Sequence, residues 1–74
     1  MEKLSQYLKQ HGVKQKEFAA RCNVTQPVIS RLANGSIQPS PSLAKRIENE
    51  TGGAIRFYEW PAYADFAPQD GTAA

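Results

Sequence analysis

Cysteine and histidine each occur once in the 74 residues, as Cys22 and His11, so neither an intramolecular disulfide nor a four-ligand zinc site can staple the fold. Apolar runs are only a few residues long, against about 20 needed to span a bilayer, and Met1, Glu2 and Lys3 do not begin a basic, apolar leader. These absences predict a cytoplasmic protein that needs no membrane, metal or cofactor. Catalysis has little to work with, because no paired carboxylates and no Gly-rich phosphate loop accompany the single His and Cys. The sequence therefore reads as a non-enzyme. A chain this short buries only about 60% of the surface its unfolded form exposes, which predicts one marginally stable domain that would gain from a second copy.

The net charge of +2 joins two unlike parts. Residues 1–47 carry eight basic and two acidic side chains, a local +6, whereas residues 48–74 carry one basic and five acidic side chains, a local −4. A basic body suits an anionic partner, since Lys and Arg that neutralise phosphates release condensed counterions. Charge alone fits a solvated surface with chance asymmetry equally well.

Glycines at 12, 35, 52 and 53 cut the first 53 residues into four helix-sized pieces, expected at about 2–11, 15–22, 25–34 and 41–51. In the first, Leu4, Tyr7, Leu8 and His11 share one face, and His11 reads as a helix-end residue rather than a ligand. In the second, Phe18, Ala19 and Cys22 point inward, making Cys22 a small core hydrophobe. Thr25 is expected to cap the third helix with its hydroxyl, and Pro27 falls in the first turn, where a missing N–H costs little. Residues 36–40 form a loop, after which Pro41 suits a first helical position and Leu43, Ala44 and Ile47 face inward. Residues 54–60, AIRFYEW, are aromatic and β-branched and read as one strand; residues 67–74 read as a disordered tail.

The third helix carries the most chemistry. At about 100° per residue, Thr25, Val28, Ile29 and Leu32 gather on one side, which is the expected buried face. The opposite arc holds Gln26, Pro27, Ser30, Arg31 and Asn34 and no carboxylate. Amide, hydroxyl and guanidinium groups without acid are the side chains that hydrogen-bond to base edges and phosphates. An ordinary solvated face more often mixes both signs of charge.

Residues 14–35, KQKEFAARCNVTQPVISRLANG, closely resemble the helix-turn-helix of the Cro and CI (XRE-like) repressor family. The shared pattern is a Gln opening one helix, a small Ala19 at the helix crossing, a short turn, Thr-Gln, an Ile-Ser-Arg-Leu run and a closing Asn-Gly. The resemblance implies a mainly α, four- to five-helix lambda-repressor-like bundle over residues 1–53. It also implies that residues 25–34 enter the major groove, with base contacts from Gln26, Pro27, Ser30 and Arg31. Gln15 and Asn34 match family phosphate contacts, Gln15 is placed to brace Gln26, and Lys14, Lys16 and Lys45 add positive charge. Two departures stand out. Lys14 replaces a capping Ser or Thr, and the turn residue is Asn23 rather than Gly, Asn being the next most tolerant of left-handed geometry.

A single strand at residues 54–60 would leave two unpaired edges and large apolar groups on both faces, which predicts antiparallel pairing with a second copy through Ile55, Phe57, Tyr58 and Trp60. This part resembles the small phage Cro proteins and Cro-like YdaS regulators, through Thr51-Gly52-Gly53. The functional expectation is a repressor, phage-encoded or nucleoid-associated, that binds a pseudo-palindromic DNA operator as a homodimer. The competing expectation is an antitoxin-like chain whose aromatic C-terminal part neutralises a toxin, with DNA binding secondary.

Overall fold

The computed structural model describes residues 1–67, and the tail expected at 67–74 lies outside them apart from Ala67. Four α-helices form in order, α1 (Glu2–His11), α2 (Gln15–Arg21), α3 (Gln26–Asn34) and α4 (Pro41–Glu50). Two 3-10 segments follow, Phe57–Glu59 and Pro61–Phe66. The helical periodicity converts directly into a core: Leu4 and Leu8 from α1, Phe18 and Ala19 from α2, Ile29 and Leu32 from α3, and Ala44 and Ile47 from α4 are all buried. Cys22 joins them at 4% exposure. Burial, reinforced by the nearby Glu50 carboxylate against the opposing Arg46 and Arg21, pushes its thiol up to about 11, so it stays protonated and packs as a small hydrophobe.

Helix ends are set by local chemistry. Ser40 caps α4, its Oγ accepting the Leu43 amide at 3.2 Å, with Pro41 in the first turn. Thr25, by contrast, is exposed and makes no capping bond, so the expected cap of α3 and the inward-facing Thr25 are both corrected. The first turn of α3 is left to Pro27, which has no amide to satisfy. The α-ammonium of Met1 donates to the carbonyls of Leu32 and Ala33, tying the start of α1 to the end of α3.

The expected C-terminal strand is absent among the described residues. Gly52 and Gly53 both take positive φ, 63° and 88°, and this double left-handed turn folds the chain back onto the bundle as α4 ends. Ile55 and Trp60 then enter the core at 0% and 1% exposure. Residues five apart lie on opposite faces of a strand, so burying both together requires the 3-10 winding that Phe57–Glu59 adopts. The backbone donors that a strand would have offered to a neighbour are consumed internally. Thr51 Oγ1 accepts the Ile55 amide at 3.2 Å, Glu59 Oε2 the Arg56 amide at 2.8 Å, and Glu48 Oε1 the Phe57 amide at 3.3 Å. No pairing edge is left at these residues.

Two ion pairs tie the C-terminal segment to the helical body. Glu59 forms an ion pair with Lys3 of α1, and Glu48 pairs with Arg56 at 3.2 Å. Ile55 and Trp60, expected to contact a second copy, are instead enclosed in their own core; Phe57 and Tyr58 remain half-buried.

Three consequences can be measured by urea or thermal unfolding. Ile55→Ala should lower stability by about 2–4 kcal/mol as a core truncation, whereas a peripheral residue would change it by under about 0.5. Trp60→Phe should cost far less than Trp60→Ala, because Phe keeps an aromatic ring in the core while removing an indole N–H that has no partner, whereas Ala leaves a cavity. Burial alone would raise the Glu59 pKa, but hydrogen bonds from Lys3 and the Arg56 amide hold it below the usual 4.5. Its stabilisation is therefore present above about pH 4.5 and lost as pH falls through the depressed value. Glu59→Gln should be less stable than wild type above that pH, with the gap closing in acid.

Candidate nucleic-acid interface

The site is built on the corner between α2 and α3. Ala19, at 2% exposure, leaves room for α3 to pack closely against α2. The turn between them is closed by Asn23, whose φ of 61° is left-handed, and by the Val24 amide, which bonds the Ala19 carbonyl at 2.9 Å. Arg46 of α4 adds a bond that no sequence motif signalled, its Nε donating to the Arg21 carbonyl at 3.4 Å at the end of α2. With Ile29 and Leu32 fully buried, the rotation of α3 is fixed and its opposite face is turned outward.

On that outward face, Gln26, Pro27, Arg31 and Asn34 are exposed and Ser30 is half-buried. Gln26 Nε2 donates to Gln15 Oε1 at 2.9 Å, so the brace expected from Gln15 is present. The bond uses one of the amide's two N–H donors and leaves the other, together with the Oε1 acceptor, available. A donor beside an acceptor is the pattern that pairs with the N6 and N7 edge of adenine. The Arg31 guanidinium makes no hydrogen bond or ion pair among the described residues, leaving its planar fork of donors open to solvent. Asn34 is partly committed: its Oδ1 accepts the Ser36 amide at 2.9 Å, which frees only the Nδ2 group to donate outward.

The expected basic flank divides in two. Lys14 and Lys16 sit together around an open hollow of about 540 Å³ that also touches Gly12, Glu17 and Ala20 at the start of α2. Lys14 precedes α2 in extended geometry with no capping bond, so its side chain is free to serve charge rather than helix termination. Lys45 is elsewhere. Its ammonium lies 5.3 Å from the centroid of Phe57, in a different hollow lined by Pro41, Phe57, Tyr63 and Phe66.

A family profile described as helix-turn-helix matches residues 4–57, which spans α1 to α4 and the core residue Ile55. No curated protein and no solved structure matches the chain. Among the described residues no helix is long and apolar enough to cross a membrane.

The left-handed turn is testable because the corner depends on it. Asn23→Ala should destabilise the fold by about 1–2 kcal/mol through the Cβ cost at positive φ. Asn23→Gly should lie within about 0.5 kcal/mol of wild type, since Gly adopts this geometry without that cost. Equal losses from both substitutions in chemical denaturation would place the role of Asn23 in its side chain instead.

Proposed function

We propose that this chain, which belongs to the helix-turn-helix family of the Cro and CI (XRE-like) type, is a sequence-specific transcriptional repressor acting as a homodimer on a pseudo-palindromic DNA operator. Membership makes it a DNA-binding transcription regulator; the repressor role, the dimer and the residue assignments are our reading. The observation that carries it is the acid-free outward face of α3 with its Gln26 amide already oriented by Gln15. A side chain held in place before binding loses less rotamer entropy on contact, which favours base reading over generic adhesion.

In this reading α3 enters the major groove. Gln26 contacts an adenine, Arg31 takes a guanine through O6 and N7, Pro27 packs against a thymine methyl, and Ser30 reaches a base edge from its half-buried position. Gln15, Lys14, Lys16 and the Nδ2 of Asn34 hold phosphates and fix register without reading sequence. Lys45, engaged with Phe57, is better explained outside this contact set. Two copies would set their α3 helices about 34 Å apart in successive grooves, and repression would follow from covering promoter sequence.

Selection of bound sites from random duplex DNA tests the assignments. Arg31→Ala should relax preference at one base position in each half-site, at a cost of about 1–3 kcal/mol. Lys14→Ala should weaken binding to all sequences alike and reduce the salt dependence by about one counterion. A uniform loss from Arg31→Ala would reassign that residue to phosphate, and no sequence preference in wild type would sink specific readout altogether.

A further inference from the structure

Residues 36–40 link the Gly35 end of α3 to α4, and they begin two positions after Asn34, whose Nδ2 is read above as a phosphate contact. Both ends of this loop are secured locally: the Ser36 amide donates to Asn34 Oδ1 at 2.9 Å, and Ser40 caps α4. Its middle has a single tether. The Tyr63 hydroxyl donates to the Pro39 carbonyl at 2.7 Å, and no other hydrogen bond reaches residues 37–39 among the described residues. Ile37 and Gln38 stand exposed while Pro39 is buried, so the tether sits where the loop meets the bundle.

The tether is anchored in the core. Tyr63 lies in the second 3-10 segment, where its φ of −122° breaks the winding, and its amide donates at 2.8 Å to the carbonyl of Trp60, which is 1% exposed. Trp60, Tyr63 and Pro39 thus connect the core to the loop that follows the DNA-facing helix. The ring of Tyr63 is held independently of its hydroxyl, half-buried against the core beside Phe57 and Pro41. A loop tied only at its ends samples several conformations, and that freedom is lost when DNA orders it. A loop already fixed in the free protein loses less. We infer that Tyr63 is a positioning residue for DNA binding: its hydroxyl holds the loop after α3, and with it the Asn34 end of the interface, in the conformation that DNA meets. It acts through Pro39 rather than by touching DNA.

This rests on the reading that Asn34 and the end of α3 meet DNA, and it goes further by making the C-terminal segment a determinant of affinity. Tyr63→Phe removes the hydroxyl alone. Fluorescence anisotropy of the full chain on a half-site duplex, at a temperature where Trp60 fluorescence reports every variant folded, should show binding weakened about three- to tenfold. Base preferences should stay as in wild type, because Gln26 and Arg31 are untouched. Replacing Tyr63 by 4-aminophenylalanine, whose ring amine offers an N–H to the same carbonyl, should recover most of the loss. Amide relaxation in Tyr63→Phe should report greater motion at Ile37 and Gln38, with α1 and α4 unchanged. A merely structural role would lower the unfolding midpoint and leave the affinity of the folded protein as it was. That result would overturn the inference, as would a loop no more mobile than in wild type or no recovery with the ring amine. Asn34→Ala separates the two levels. Binding weakened by Asn34→Ala but indifferent to Tyr63→Phe sinks the inference alone, whereas indifference to both sinks the reading of this end of α3 and the inference with it.

Discussion

The enclosure of Ile55 and Trp60 is the constraint on which the rest of the structure depends. Four short helices contribute a core with one aromatic side chain, Phe18, and a domain of this size has only about 4–11 kcal/mol of stability in total. Removing the two fully buried residues supplied from beyond α4 would take away a large part of that margin. The C-terminal segment is therefore a structural part of the DNA-binding domain, in keeping with a family match that continues to residue 57. It is held by side-chain oxygens of Thr51, Glu48 and Glu59, each accepting one of three successive amides. Sheet pairing would have satisfied those amides too, but only with a second strand, and there is none among the described residues.

A rigid bundle has value here because α3 must show its polar face at one fixed rotation. Ile29 and Leu32 lock that rotation from inside, and the left-handed Asn23 sets the angle at which α3 leaves α2. The Gln15 to Gln26 bond then extends order from backbone to side chain. Geometry and charge agree: the polar face of α3 lacks acid and the start of α2 carries Lys14 and Lys16, while Glu48 and Glu59 are drawn into contacts with Arg56 and Lys3.

The helical part and the face of α3 were legible because both are encoded locally. Apolar residues at three- and four-residue spacing, glycines at helix ends and an Asn in the turn each act within one or two turns of chain. The segment at 54–60 was not legible for the opposite reason. Ile, Phe, Tyr and Trp serve a strand or an irregular buried segment equally, and the choice was made by acceptors from elsewhere, Thr51 and Glu48, together with two successive positive-φ glycines. The one local hint was Glu59 three residues after Arg56, the spacing at which a carboxylate reaches back to a backbone amide. Part of the −4 of residues 48–74 is spent inside the molecule, since Glu48 and Glu59 pair with Arg56 and Lys3. Thr25 shows the smaller hazard of reading a cap from residue type alone, since a hydroxyl at the right position need not turn inward.

The central claim is that DNA meets the outer face of α3 and the start of α2, while the C-terminal segment supports them from behind. Backbone amide chemical shifts, followed while a half-site duplex too short for two copies is titrated in, test this most directly. The account predicts the largest perturbations at residues 14–16 and 26–36, with residues 54–60 little changed. Perturbations centred on 57–66, with α3 unmoved, would contradict it.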